Sequence, residues 1–156
     1  MRPLVQFTCY GKPVPQGSSK GFVYQKNGKY HAAITTDNKN LKPWRQQLTQ
    51  TALEVTLGPH APENLPFPKH VPVALGLHFF IEKPASIAKK RQYPAVKPDL
   101  SKLLRCVEDS LTGVVYHDDA QIVSYSHIEK SYGTPERCEI TVQEYPTAAD
   151  LFGERI

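Results

Sequence analysis

The chain has 156 residues, of which 40% are hydrophobic, nine are glycine and three are cysteine. This size and composition are typical of one compact domain and exclude a disordered, fibrous or disulfide-stabilised protein. Nineteen basic residues against fifteen acidic residues give a net charge of +4, which permits a polyanionic partner without requiring one.

The first half of the chain contains several clear patterns. Residues 4–10 alternate between apolar and polar side chains, which predicts a strand. Phe22–Lys26 and Lys29–Thr35 flank Asn27-Gly28, the pair typical of a type I′ turn, so a β-hairpin is predicted. Apolar side chains then recur at helical spacing, with Pro43 early and Gly58 just after, which predicts a helix over residues 40–57.

The second half continues with a strictly alternating strand over residues 71–81 and an amphipathic helix over residues 100–112. Residues 121–130 and 137–144 predict two more strands, followed by a short helical turn. Prolines cluster at 59–72 and 84–98, which predicts two long surface loops. Together these elements predict a single α/β (α+β) domain over residues 1–156. Its mixed β-sheet has about four to six strands, with two main helices packed on it and the strand order open.

Membrane and metal-thiolate chemistry receive no support. No apolar run approaches the roughly 20 residues of a transmembrane helix, and the first residues run directly into strand-like alternation. We therefore expect a cytoplasmic protein without a membrane partner. The three cysteines form no C-x-x-C pair, so buried free thiols are expected rather than a zinc site. Zincin, serine-hydrolase, P-loop and dinucleotide motifs are absent from the sequence, so no nucleotide cofactor is expected.

Acidic residues flank the second helix on both sides. Asp99 enters the helix, and Asp118 and Asp119 enter the next strand. Paired carboxylates are the ligands that Mg²⁺ requires for metal-assisted hydrolysis. The alternatives are a helix N-cap for Asp99 and a polar turn for Asp118-Asp119. The sequence alone does not bring the two acidic positions together.

Cationic charge is concentrated just before and within the same helix. Residues 83–105 contain seven basic residues and one acid, a local charge of +6. Prolines and Tyr93 interleave the charges, as in a loop that lies along phosphates. A solvated surface loop is the alternative, but the run leads directly into the acidic residues, which favours nuclease chemistry.

The segment KPDLSKLLRCVEDSLTGVVYHDDAQI at 97–122, together with GKPVPQGS at 11–18, resembles the RusA-type Holliday-junction resolvases common in phages and prophages. The family pattern is K-P-D-x-D-(N/K)-L, a basic residue on the helix, D-(A/S)-L-x-G and D-D-x-Q-(I/V). The ordered matches are Lys97, Pro98, Asp99, Leu103, Arg105, Asp109, Leu111, Gly113, Asp118, Asp119, Gln121 and Ile122.

This resemblance implies a homodimeric, Mg²⁺-dependent endodeoxyribonuclease, with Mn²⁺ as a possible substitute, that nicks four-way DNA junctions symmetrically in a bacterial or phage-infected cell. It maps the metal carboxylates to Asp99, position 101 and Asp119, with Asp118 adjacent, and the catalytic basic residue to Arg105. A two-fold junction is matched naturally by a two-fold protein. The expected DNA-binding residues are Lys89, Lys90, Arg91, Lys97 and Lys102.

The sequence departs from the family pattern at position 101, where the second aspartate is Ser101. A hydroxyl is a poorer Mg²⁺ ligand than a carboxylate. Glu108 shares the helix face of Ser101 but lies about 10 Å further along the axis, too far to replace it directly. Two functions therefore compete: an active junction endonuclease, and a junction-binding protein with lost or weakened cleavage. A small basic domain with a protein or RNA partner is a third reading.

Overall fold

A mixed four-stranded sheet with helices on one face forms the centre of the protein. The computed structural model describes residues 2–17, 20–35 and 38–153. Within that part the elements in chain order are β1 (Leu4–Tyr10), β2 (Lys20–Lys26), β3 (Lys29–Thr35), α1 (Leu41–Thr56), β4 (Val73–Ile81), α2 (Leu100–Leu111), β5 (Ile122–Tyr132), β6 (Arg137–Glu144) and α3 (Ala148–Phe152). The predicted α+β class is confirmed, and each predicted strand and main helix begins and ends within two residues of its expected position.

The sheet has the strand order β1-β6-β4-β5. β6 pairs antiparallel with both β1 and β4, whereas β4 pairs parallel with β5. A parallel pair requires a crossover connection of a dozen or more residues. Here that connection carries the second proline-rich loop and α2, which places both candidate acidic positions on one crossover.

The core lies between the sheet and the two long helices. Alternate side chains of β1, β4 and β6 point into it, where they meet the apolar faces of α1 and α2. The buried face of α2 is formed by Leu103, Cys106, Val107, Ser110 and Leu111. Burial of this face leaves the polar face of α2 at the surface, as its helical spacing predicts. All three cysteines are free and buried, which confirms the expectation for them.

Two turns with positive φ angles define the ends of their elements. Asn27 and Gly28 have φ angles of 54° and 75°, as the predicted type I′ hairpin turn requires. Gly113 follows α2 with a φ of 83°, a left-handed conformation that glycine adopts at low cost and that terminates helices. In the part of the chain that the structure describes, no helix is long and apolar enough to cross a lipid bilayer.

Candidate active site

The turn between α2 and β5 is built around Gln121, a residue that is only 7% exposed. Its Oε1 accepts hydrogen bonds from the backbone N–H groups of His117 and Asp118, at 2.8 and 3.0 Å. Its Nε2 donates to the carbonyl oxygens of Pro68 and Val71, at 2.8 and 3.0 Å. One buried amide therefore ties the acidic turn to the loop that precedes β4.

Asp118 and Asp119 begin a single 3₁₀ turn, Asp119–Gln121. The Asp118 carboxylate accepts a hydrogen bond of 2.9 Å from the Ala120 N–H and so caps this turn. The polar-turn interpretation of Asp118 is thereby confirmed. Asp119 is exposed at the surface of the turn, and its backbone carbonyl accepts a hydrogen bond from the Ile122 N–H.

The two aspartates have opposite pKa shifts. The Ala120 N–H, followed by a hydrogen bond from Asp119, lowers the pKa of Asp118. Partial desolvation, the hydrogen bond with Asp118 and the negative charges of Asp118 and Asp109 raise the pKa of Asp119. Asp119 therefore lies where negative charge accumulates, which is a setting that a cation would relieve.

Glu108 belongs to the same electrostatic cluster. Its Oε1 accepts a hydrogen bond from the hydroxyl of Tyr125, and its backbone oxygen accepts one of 2.7 Å from buried Tyr116. Desolvation raises the pKa of Glu108, the Tyr125 hydroxyl opposes this, and the charge of Asp119 raises it further. The second half of α2 thus presents a carboxylate close enough to Asp119 for the two charges to interact.

Asp99 occupies the N-cap position of α2, but its side chain makes no capping hydrogen bond. Its Oδ2 lies 3.6 Å from the Lys102 Nζ, an exposed ion pair. Asp99, Lys97 and Lys102 line a cavity of about 380 Å³ together with Lys12 and Glu136. The N-cap expectation is therefore right in position only, and the carboxylate remains free to accept a ligand.

The backbone that leads into Asp99 is held by Lys130 on β5. The Lys130 Nζ donates to the carbonyl oxygens of Val96 and Pro98, at 2.6 and 2.8 Å. These bonds fix the last residues of the proline-rich loop against the sheet. Lys130 falls outside the basic run of the sequence, and no sequence pattern indicated this role.

The basic loop is organised by one of its own lysines. The Lys83 Nζ donates to the carbonyl oxygens of Lys89 and Arg91, at 2.9 and 2.6 Å. Lys89, Lys90 and Arg91 themselves are exposed. Lys83 thus has a structural role, while the three predicted DNA-binding residues of the loop present their charges to solvent.

Ser101 and Arg105 lie on the exposed face of α2, between Asp99 and Glu108 in sequence. The Arg105 guanidinium lowers the pKa of Glu108, so its charge acts on the acidic cluster. The structure thus brings Asp118, Asp119 and Arg105 into one electrostatic group with Glu108 and Asp109. It places Asp99, Lys97 and Lys102 together at the other end of the helix.

Gln16 connects the acidic helix to the segment before β2. Its Nε2 donates to Asp109 Oδ2 at 2.6 Å, and its backbone N–H donates to the Lys102 carbonyl at 3.0 Å. The sequence segment GKPVPQGS includes Gln16 but predicts no role for it. Because 93 residues separate it from Asp109, no local pattern could have found the pair.

The donor set suits Mg²⁺ in kind, since the carboxylates supply only hard oxygen ligands. Across residues 2–17, 20–35 and 38–153, no three acidic, histidine or cysteine side chains are grouped to hold a metal ion. Mg²⁺, however, is usually bound through one or two carboxylates, waters and substrate phosphates rather than by an all-protein cage. The negative charge accumulated around Asp119 is therefore compatible with such a cation.

Comparison with protein families identifies one family for this chain. The family model described as Endodeoxyribonuclease RusA matches residues 11–143, which include every element from β2 to β5 and all but the last residue of β6. The chain is also 27% identical over 150 residues to the uncharacterized protein YqaN of Bacillus subtilis strain 168. That alignment covers 90% of this chain and 96% of YqaN.

Proposed function

Because this chain belongs to the RusA endodeoxyribonuclease family, we propose that it is a structure-selective nuclease that nicks four-way (Holliday) junctions in DNA recombination and repair. The observation that carries the proposal is the carboxylate cluster around Asp119, which includes Glu108 and Asp109 of α2. The charge of Arg105 on the same helix acts on this cluster, and a basic loop precedes the helix. Carboxylates next to phosphate-binding charge are the combination that phosphodiester hydrolysis requires.

In this proposal the residues divide into two roles. Lys89, Lys90 and Arg91 bind the DNA backbone, and Lys97 and Lys102 guide a phosphate toward the N-terminus of α2. Arg105 offsets the negative charge that develops on the phosphate under attack. An arginine does this as a fixed cation, since it does not give up its proton at neutral pH.

We further propose that Asp119, with Asp118 adjacent, binds Mg²⁺, for which Mn²⁺ can substitute. Asp99 lies at the other end of α2, so we propose that it contributes to the same site through water or the DNA phosphate rather than as a direct neighbour of Asp119. When bound, the ion would activate water and stabilise charge on the phosphate. Asp119 must be ionised to bind a cation, and its pKa is raised. Cation binding is therefore expected to weaken as the pH falls through that raised value.

Symmetric nicking requires two active sites, so we propose that the protein acts as a homodimer on the two-fold junction. Its place of action would be the cytoplasm of a bacterial or phage-infected cell. One single-domain unit would then supply one active site to each of the two nicked strands.

A second candidate function rests on one observation. Ser101 stands where the family pattern has an aspartate, and it is exposed on the first turn of α2. A hydroxyl contributes little to Mg²⁺ affinity compared with a carboxylate. The alternative is therefore a protein that binds and holds branched DNA with lost or weakened cleavage.

The deciding experiment incubates a labelled four-way junction with the wild-type chain, Asp119→Asn and Ser101→Asp, first in Mg²⁺ and then in Mn²⁺. Nicked product and bound complex are scored in the same samples. Glu63→Gln, which removes an exposed carboxylate that is not part of the acidic cluster, is the matched control for Asp119→Asn. Nicking by the wild type and Glu63→Gln but not by Asp119→Asn supports the enzyme.

Junction binding without nicking, restored only in Ser101→Asp, supports the alternative. If neither the wild type nor Ser101→Asp binds or nicks the junction, both functions are refuted. A companion variant with Lys89, Lys90 and Arg91 all changed to Gln tests the loop. It should bind more weakly and with a shallower dependence on salt, because fewer counterions are released.

A further inference from the structure

The β2–β3 hairpin is a two-stranded ribbon that stands apart from the main sheet. Among the residues that the structure describes, β2 and β3 pair only with each other, and neither packs closely against another helix or strand. Every side chain from residue 21 to residue 32 is exposed. A seven-residue strand is about 23 Å long, so the ribbon presents an extended exposed surface.

One face of the ribbon carries a row of rings. The register pairs Tyr24 with His31 and Lys26 with Lys29, so these four side chains and Phe22 lie on the same face. The rings of Tyr24 and His31 are stacked, with centroids 5.4 Å apart, and Phe22 lies 5.9 Å from Tyr24. The face therefore continues from aromatic rings to two lysines at the tip.

The opposite face is different. It carries Val23 and Tyr30, which are 69% and 78% exposed, together with Gln25 and Ala32. None of these four residues is charged. The hairpin thus combines an aromatic and cationic face with a mostly uncharged one, and its two tyrosines point in opposite directions.

The charge of the ribbon favours a polyanionic partner. Residues 20–35 contain three lysines and no aspartate or glutamate. An isolated hairpin is only marginally stable in water, and exposed apolar clusters usually mark interaction sites. Rings interleaved with lysines are the pattern on which nucleic-acid bases stack, because every base has a π-face and every phosphate a charge.

The segment that leads into the ribbon is anchored on α2. Gln16, four residues before β2, binds both Asp109 and the backbone of Lys102. Four residues span at most about 14 Å, so β2 begins within that distance of this anchor on the helix that carries Asp99 and Arg105. This short connection links the ribbon to the helix of the candidate active site.

We propose that the β2–β3 ribbon is a DNA-binding arm whose ring face, Phe22, Tyr24 and His31, stacks on bases exposed at the branch point of the junction. Lys26 and Lys29 bind the adjacent phosphates. Base pairs at a branch point lack a stacking neighbour on one side, so their faces are exposed. The interior of a linear duplex offers no such exposed faces. The arm thus recognises branched structure, and this inference rests on the proposed function.

The test measures binding to a four-way junction that carries 2-aminopurine at the branch point, with a linear duplex of the same sequence as comparison. The full chain is used without divalent metal, so that binding is measured in the absence of cleavage. Tyr24→Ala should weaken junction binding about 5- to 100-fold, because one stacked base is lost. Binding to the linear duplex should change less than about twofold.

Two matched variants make the test specific. Tyr30→Ala removes the same side chain from the opposite face and should retain wild-type junction affinity. Tyr24→Phe keeps the ring and should retain both the affinity and the change in 2-aminopurine fluorescence. Sedimentation of all three variants reports whether the ribbon contacts a second copy of the chain.

Equal junction binding by the wild type and Tyr24→Ala would overturn the arm and leave the nuclease proposal standing. Equal losses of junction affinity in Tyr24→Phe and Tyr24→Ala would refute stacking. A similar change in dimerisation for Tyr24→Ala and Tyr30→Ala would show instead that the ribbon contacts a second copy of the chain. Conversely, Tyr24-dependent junction binding without any nicking in Mg²⁺ or Mn²⁺ would overturn the nuclease and support the arm.

Discussion

Replacing Gln121 with alanine is expected to destabilise the protein and release the acidic turn. The side chain is nearly fully buried and makes four hydrogen bonds of 2.8 to 3.0 Å to backbone groups in two separate segments. Alanine can replace none of them. The N–H groups of His117 and Asp118 and the carbonyl groups of the 67–71 loop would lose their partner together.

The size of the effect follows from the number of bonds. A typical hydrogen bond contributes about 0.5–1.5 kcal/mol to stability, and a buried group left unpaired costs more than the average. Four such bonds therefore give a loss of about 3–4 kcal/mol, allowing for partial access of water to the turn. Since a domain is stable by only about 5–15 kcal/mol, the variant should still fold but with clearly reduced stability.

Urea unfolding followed by circular dichroism measures this loss directly. Gln46→Ala is the matched control, because Gln46 is exposed on α1, and its change should stay within about 0.5 kcal/mol. Gln121→Glu should cost at least as much as Gln121→Ala, since a carboxylate would face the carbonyl oxygens of Pro68 and Val71. A Gln121→Ala variant as stable as Gln46→Ala would refute the role assigned to this amide.

Three further predictions concern the same region. Glu108→Gln removes the carboxylate that raises the pKa of Tyr125 to about 12, so the pKa of Tyr125 should fall. A near-ultraviolet titration, with the Tyr125→Phe variant subtracted, measures this pKa, and an unchanged value would contradict the contact. Asp118→Asn removes a neighbouring negative charge, so the pKa of Asp119 should fall in a carboxyl NMR titration; an unchanged value would show that desolvation alone governs it. Gly113→Ala forces a side chain into the left-handed region and should cost about 1–2 kcal/mol in thermal unfolding, whereas no loss would mean that the turn can change conformation.

The secondary structure could be predicted from the sequence because its signals are local. The apolar alternation of β4, the helical spacing of α2 and the Asn27-Gly28 turn each depend on residues a few positions apart. Pro72 and the hydrogen bond from Val71 to Pro68 delay the start of β4 by two residues. The residue at which a strand begins depends on the geometry of the preceding loop, and the periodicity of the sequence does not predict that geometry.

The strand order and much of the site could not be predicted, because they depend on contacts between distant residues. The place of β6 between β1 and β4 reflects packing of the whole sheet. The partners of Glu108 and Gln16 lie 17 and 93 residues away. The family pattern singled out Gln121 as a match, but only its buried amide explains why a glutamine is needed two residues after Asp119.

The distribution of charge along α2 gives Ser101 a physical meaning. Near the first turn, the Asp99 carboxylate is accompanied by Lys97 and Lys102, so that end carries a net positive charge suited to a phosphate. In the second half, carboxylates outnumber Arg105, which suits a cation. An aspartate at position 101 would add negative charge to the first turn and weaken this separation. On the proposed function, we expect that with serine there the affinity for a cation depends more heavily on Asp119 and its neighbours, while the first turn keeps its attraction for DNA. We therefore expect the substitution to reduce cleavage before it reduces binding, since only cleavage would require the cation and the phosphate to be held together.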